Sequence, residues 1–278
     1  MTAMIDLLFW APVMAGGLLA GASTALLGVY VVGMRIPFLG VCVSHAALAG
    51  AVFGSLFGLT GPALLAPALA AAVVTALLLG MLDPDRLGLD ANVVLGLLFS
   101  LTMGLAFLGI GLFAVFGRSD NDARSLLWGS LNFCRWRDVG LMGAAAAAVL
   151  AFVVACCKEM RALMFSRLEA AAAGIHVTGV WTAFLILTAV VLTVNFQTVG
   201  GLMIYSLMTN PAAAAFQLVR GHGRALALSM VLGAASGLGG FLIAAATDLP
   251  TGAMIVILSS ALVAAAAVIA RLRRWMQR

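Results

Sequence analysis

The sequence predicts an all-α, polytopic integral membrane protein with eight transmembrane helices, or nine if two adjoining apolar runs both cross. Three observations predict it. Hydrophobic residues make up 64% of the 278-residue chain and charged residues only 9%, whereas a soluble domain carries ~25%. So few charges cannot cover a water-facing surface. The apolar residues collect in runs of about 20, the length a helix needs to cross a ~30 Å hydrocarbon core. Those runs are rich in Ala, Leu and Gly without strand-like alternation, which favours helices over a closed barrel as the way to satisfy the backbone in lipid.

The runs fall at 7–34, 38–59, 61–82, 91–117, 139–157, 177–196, 198–218, 225–246 and 252–270. The link Phe196-Gln197-Thr198 is so short that one of its two neighbours could be a partial or broken helix. One membrane domain, residues 1–278, is expected, with a loop at 158–176 inside it. The N-terminus lacks Lys and Arg before Arg35, so it does not resemble the basic start of a secretory signal and reads as a retained first span.

Lys and Arg collect on the cytoplasmic side of membrane proteins. The net charge is +5, and the tail carries Arg271, Arg273, Arg274 and Arg278, so the C-terminus is expected to be cytoplasmic. Counting back places Arg220–Arg224, Lys158–His176, the Asp83–Asp90 turn and Arg35 on that side too. The same count puts Arg118–Asp138 outside. Its four Arg are partly offset by three Asp, and its apolar centre Leu126-Leu127-Trp128 predicts a helix lying at the interface. Basic residues at the ends of apolar runs fit membrane anchoring, not nucleic-acid binding.

Small residues recur at four-residue spacing: Gly17 with Gly21, Gly50 with Gly54 and Gly58, and Gly233 with Gly237. That spacing lets helix backbones approach closely, either within the bundle or at a seam between two copies. In the 158–176 loop, Glu159, Arg161, Arg167 and Glu169 alternate with Met160, Leu163, Met164, Phe165 and Leu168. This is the pattern of a short amphipathic helix, ended by Gly174. Such a helix can lie on a membrane or dock into a soluble partner.

Several chemistries are excluded. Lys158 is the only lysine and no phosphate-cradling G-x-x-x-x-G-K-[ST] surrounds it, so any ATP hydrolysis must come from another subunit. HExxH and CxxC are absent, and Cys156-Cys157 is merely adjacent. Cys134 falls in a polar loop without an evident partner. Ion-coupled carriers place ionisable groups mid-membrane, yet the apolar runs hold only His45, with Asp248 at the end of one. His45 is either a hydrogen-bonded core residue or a metal contact. Ser44 and Cys42 share its helix, and Cys42 lies on its face at i, i−3. Imidazole and thiolate suit borderline transition metals, and Met34, Met103 and Met208 could add thioethers. The amides Asn92, Asn195, Gln197 and Asn210 need partners. Asn210-Pro211 is expected to break its helix near the end and free carbonyls beside the pathway.

Five segments resemble, in order and over nearly the whole chain, the zinc/manganese/iron permease family of ABC importers. They are Met34–Gly50, with its SHAALAG core; NVVLGLLFSLTMG (Asn92–Gly104); LLWGSL (Leu126–Leu131); FSRLEAAAAGIHV (Phe165–Val177); and VGGLMIYSLMTNPAAAAFQLVR (Val199–Arg220), followed by TDLPTGAMIVI (Thr247–Ile257). The resemblance implies a permease of the vitamin B12/metal-chelate (type II) kind. It also implies a second permease copy in a homodimer or related pair, two ABC ATPase subunits, and a periplasmic or lipid-anchored metal-binding protein. The location implied is a bacterial inner membrane. Phe165, Arg167, Glu169 and Gly174 would form the ATPase-coupling helix.

The chain departs from the family pattern where Val41 and Ser130 replace acidic residues, and where Ser100 stands at a His position of some relatives. These losses tilt the expected cargo towards softer Zn²⁺ over Mn²⁺ or Fe²⁺, passing by alternating access with no permanently bound cofactor. The expected pathway residues are His45 (a transient metal contact), Ser44, Cys42, Asn210 and Asp248. The alternatives are the same fold moving a chelate or non-metal cargo, and a carrier driven by an ion gradient.

Overall fold

The computed structural model describes residues 2–81, 88–116, 131 and 134–276. Ser130, most of the expected interfacial helix in 118–138, most of the Asp83–Asp90 turn and the side chain of Gln197 lie outside the described residues. Among the described residues eleven α-helices follow one another: α1 (Thr2–Gly33), α2 (Phe38–Leu56), α3 (Leu65–Met81, entered through a 3-10 turn at Gly61–Leu64), α4 (Ala91–Val115), α5 (Trp136–Ala155), α6 (Cys157–Phe165), α7 (Arg167–Ala172), α8 (Val177–Val199), α9 (Gly201–Leu218), α10 (His222–Thr247) and α11 (Thr251–Met276). Eight helices among the described residues are long and apolar enough to cross a membrane.

The contacts orient the bundle. The α1–α2 turn, the start of α4, the α6–α7 loop, the start of α10 and the end of α9 meet at one end, here the coupling end. Asn92 Nδ2 donates to the Arg35 carbonyl at 3.0 Å, Tyr30 meets His222 at 3.1 Å, and Gly33 faces Met164 and Phe216. The basic segments expected on one side therefore share an end. At the distal end Val13, Cys134, Val199, Met203, Phe241 and Ile255 cluster.

Between these ends α9 passes in parallel with α1 and α11. Met203 lies by Gly252, Asn210 by Ser259, and Leu218 by Arg273. Its 18 residues rise ~27 Å, so α9 runs from one end of the bundle to the other beside the eight membrane-length helices found among the described residues. The short link is a single break at Gly200, whose φ of +95° belongs to glycine's range. Neither neighbour is partial. Pro211 does not break α9 as expected; the helix continues through it, at the cost of one intrahelical bond.

Helix starts follow local chemistry. Asp90 accepts from the Asn92 amide at 2.8 Å to cap α4, and Asp138 accepts from the Arg135 amide at 2.9 Å at α5. Inside the bundle, hydroxyls bond back to their own helices: Thr188 to Phe184 at 2.8 Å and Thr193 to Ala189 at 2.7 Å. This satisfies polar groups that lipid cannot.

The glycines settle the seam question within the chain. Gly17 and Gly21 press against Gly237 and Gly233, bringing the backbones of α1 and α10 together. Gly50 and Gly54 press against Pro67 of α3, while Gly58 (φ +93°) turns the chain after α2. A Cβ on Gly21 would meet the Gly233 carbonyl, whereas one on Gly104 of α4 meets nothing within 4 Å. Gly21→Val is expected to lower stability by about 1–3 kcal/mol and Gly104→Ala to leave it unchanged, compared by thermal unfolding of the two variants in detergent. Equal melting of both would contradict this packing.

Candidate functional site

The first candidate region lies on α2, which is among the more enclosed spans. His45 is 7% exposed, and its Nδ1 lies 2.9 Å from the Val41 carbonyl. A ring nitrogen against a carbonyl is the protonated one, leaving Nε2 as the acceptor. The ring meets the edge of Phe99 on α4, with centroids 5.0 Å apart. Ser100, next in the chain, is exposed. Cys42 and Ser44 are fully buried beside His45, and the Ser44 hydroxyl has no partner. Met208, one of the methionines considered as a soft donor, lays its thioether against Gly40 at the start of α2.

Asn210 and Asp248 are not part of this group. Asn210 Nδ2 donates to Ser259 and Ser260 of α11, each at 3.1 Å, so it ties two helices together. Asp248 is exposed, sits in the α10–α11 turn at the distal end, and closes α10 in a left-handed conformation (φ +55°). No group of three or more His, Cys, Asp or Glu side chains able to hold a metal ion occurs among the described residues. What α2 offers is a single imidazole nitrogen beside an unpartnered hydroxyl and a buried thiol.

Sequence reasoning missed a polar link deeper in the bundle. Asn195 of α8 is 1% exposed and donates to Ser23 of α1 at 3.0 Å, while its carbonyl oxygen has no partner. The need for a partner was legible; Ser23 as that partner was not. Cys134 also departs from expectation. It is buried among the distal apolar side chains, not in a polar loop, and burial with Asp138 nearby pushes its thiol up to about 11.

The second candidate region is the 158–176 loop. The single amphipathic helix expected there is two helices, broken at Ser166, where the backbone is extended. Ser166 caps α7 by accepting from the Glu169 amide at 3.2 Å. The S-x-x-E signature at Ser166–Glu169 was the available signal. Gly174 ends the segment as expected, with φ +83°, and the amide of Ile175 donates back to Ala170 at 3.1 Å.

The loop has two faces. Met160 (0% exposed), Leu163 (4%) and Ala170 (2%) are sunk into the main core. Phe165 and Leu168 stand out, 83% and 82% exposed, and Glu169 is exposed as well. Arg167 turns inward: its guanidinium lies 4.2 Å over the Trp181 ring of α8, beside a small apolar hollow lined by Ile36, Leu39 and Leu185. The loop is thus clamped to α8 on one side and bare and apolar on the other.

A bundle of membrane-length helices with a buried polar strip and a clamped surface loop defines the membrane-embedded subunit of a transporter. The chain belongs to the ABC 3 transport family, whose pattern matches residues 4–270. It is 26% identical over 261 residues to the high-affinity zinc uptake system membrane protein ZnuB of Haemophilus influenzae, covering 92% of this chain and 95% of that one. It is 27% identical over 251 residues to the manganese transport system membrane protein MntD of Bacillus subtilis, covering 85% and 83%. Its fold is that of a chain in PsaBC from Streptococcus pneumoniae in complex with Fab, with a TM-score of 0.80, 21% identity, and 96% and 95% of the two chains covered.

A cation–π contact contributes about 1 kcal/mol when partly desolvated. Arg167→Ala should therefore loosen the loop while leaving the spans intact. The expected reading is faster hydrogen exchange confined to 157–176, and unchanged exchange there would mean the clamp holds nothing.

Proposed function

We propose that this chain is the permease subunit of an ATP-driven importer for a divalent transition metal, with Zn²⁺ favoured over Mn²⁺ or Fe²⁺. The observation that carries the reading is the loop with Phe165 and Leu168 bare on one face and anchored to α8 on the other. Two exposed apolar side chains on a braced pair of short helices are suited to enter a partner's groove. A push on them passes through Arg167 and Trp181 into α8, the helix that holds Asn195. The partners are two copies of a separate ATPase on the coupling end, a second permease copy, and an extracytoplasmic binding protein that delivers the metal. The coupling end faces the cytoplasm, as its concentration of Arg residues supports, so the C-terminus lies inside a bacterial inner membrane.

Within the bundle, His45 supplies a transient nitrogen contact for the metal, and Ser44 and Cys42 provide a weak polar and soft surround. A lone imidazole binds loosely, which suits a conduit that must release what it takes up. Asn210 holds α9 to α11 and so positions the wall without touching cargo. Asp248 sits at the distal mouth, where its charge attracts cations towards the entrance.

Two measurements test the reading. His45→Ala should cut accumulation of ⁶⁵Zn in cells by roughly tenfold, the lower end of what loss of a metal-site group costs, with the protein still present in the membrane. Wild-type accumulation in that variant would remove His45 from the path. Phe165→Ala with Leu168→Ala should leave the melting of the isolated permease within about 0.5 kcal/mol, because both side chains are exposed. The same pair should abolish co-purification of the ATPase and uptake together. Retained ATP-dependent uptake would refute docking through this loop.

A further inference from the structure

We propose that the coupling end carries a binding site for the phosphate of an anionic lipid headgroup, formed by Arg220, Arg273 and Arg274. The three line a cavity of about 500 Å³ between the end of α9 and the last turns of α11. Phe216, Leu218 and Ala270 supply apolar wall to the same cavity. This inference is separate from the cargo and from the ATPase, and it does not need either.

Capping accounts for only part of this cluster. Basic side chains near helix C-termini offset the helix dipole. Arg273 Nη1 does donate to the Leu218 carbonyl at 3.2 Å, and Arg274 Nε to Ala270 at 3.2 Å. A guanidinium has five N–H donors, so each of these contacts spends one and fixes the side chain in place. Arg220 has no bond among the described residues, and none of the three pairs with a carboxylate there. Three cations brought together around one cavity repel each other, and an anion relieves that repulsion.

The shape of the site selects the anion. Guanidinium forks match phosphate oxygens in paired hydrogen bonds. The apolar wall suits the glycerol and first acyl carbons below a headgroup. Trp275 is 80% exposed on the next residue, and tryptophan favours the headgroup layer. Basic pockets between helix ends at an anionic leaflet are places where such lipids lodge.

The test uses the full-length permease alone, exchanged from detergent into nanodiscs of phosphatidylcholine with or without phosphatidylglycerol, with retained lipid read by native mass spectrometry. Phosphatidylglycerol should be retained at least about tenfold over phosphatidylcholine. The variant R220Q/R273Q/R274Q should fall to the phosphatidylcholine level, while R224Q/R271Q, basic residues outside the cavity, should keep the preference. Equal retention of both lipids by the wild type overturns the proposal without any variant having to fold. So does a loss in R224Q/R271Q as large as in the triple variant. Displacement of bound phosphatidylglycerol by an equal concentration of inorganic phosphate overturns the lipid as the source and assigns the site to soluble phosphate.

Discussion

The close approach of α1 to α10 is the constraint on which the rest of this bundle depends. Lipid tails are as apolar as leucine, so nothing drives two helices together except packing and polar contacts. Gly17, Gly21, Gly233 and Gly237 remove the side chains that would hold the two backbones apart. Once in contact, Ser229 reaches across to the Ala25 carbonyl at 2.8 Å, and Tyr30 reaches His222 at the coupling end. The seam therefore sets the position of α1, and α1 in turn presents Ser23 to Asn195, and Gly28 to α9. Without that seam the buried amide of α8 would have no acceptor to meet.

The second level of organisation is the division of the 158–176 loop into an anchored face and a bare one. Loops at the end of a membrane bundle are ordinarily solvated and loosely held. Here Met160, Leu163 and Ala170 commit the loop to the core, while Arg167 stacks on Trp181. Phe165 and Leu168 remain outside, bare towards whatever covers that end, a partner or the membrane surface. Arg167 and Phe165, grouped together by the family resemblance, thus have opposite surroundings. One holds the loop to the permease, and the other is free to meet something else.

Much of the architecture was legible from the residues because lipid leaves few solutions. Run length marked the spans, glycine spacing marked the tight contacts, and the distribution of Arg grouped segments that do meet at one end. Partner choice was not legible. Asn210 and His45 look alike in sequence, two polar residues in apolar runs, yet one is spent on Ser259 and Ser260 while the other keeps a free nitrogen. Only the packing angle between helices decides such matters. The break at Ser166 was readable from its capping signature, and the continuity of α9 through Pro211 was not, because neighbouring helices can hold a helix together across a missing hydrogen bond.

The joint at Gly200 has a mechanical consequence. It joins two antiparallel rods, α8 and α9, at the distal end with no intervening loop, like the arms of a pair of tweezers. The rods cannot part at that pivot, so any relative tilt would be largest at their far tips. One tip is Val177, directly after the clamped loop; the other is Leu218, bonded to Arg273. A displacement delivered at the first tip would therefore part the two rods most at the coupling end and least at Gly200.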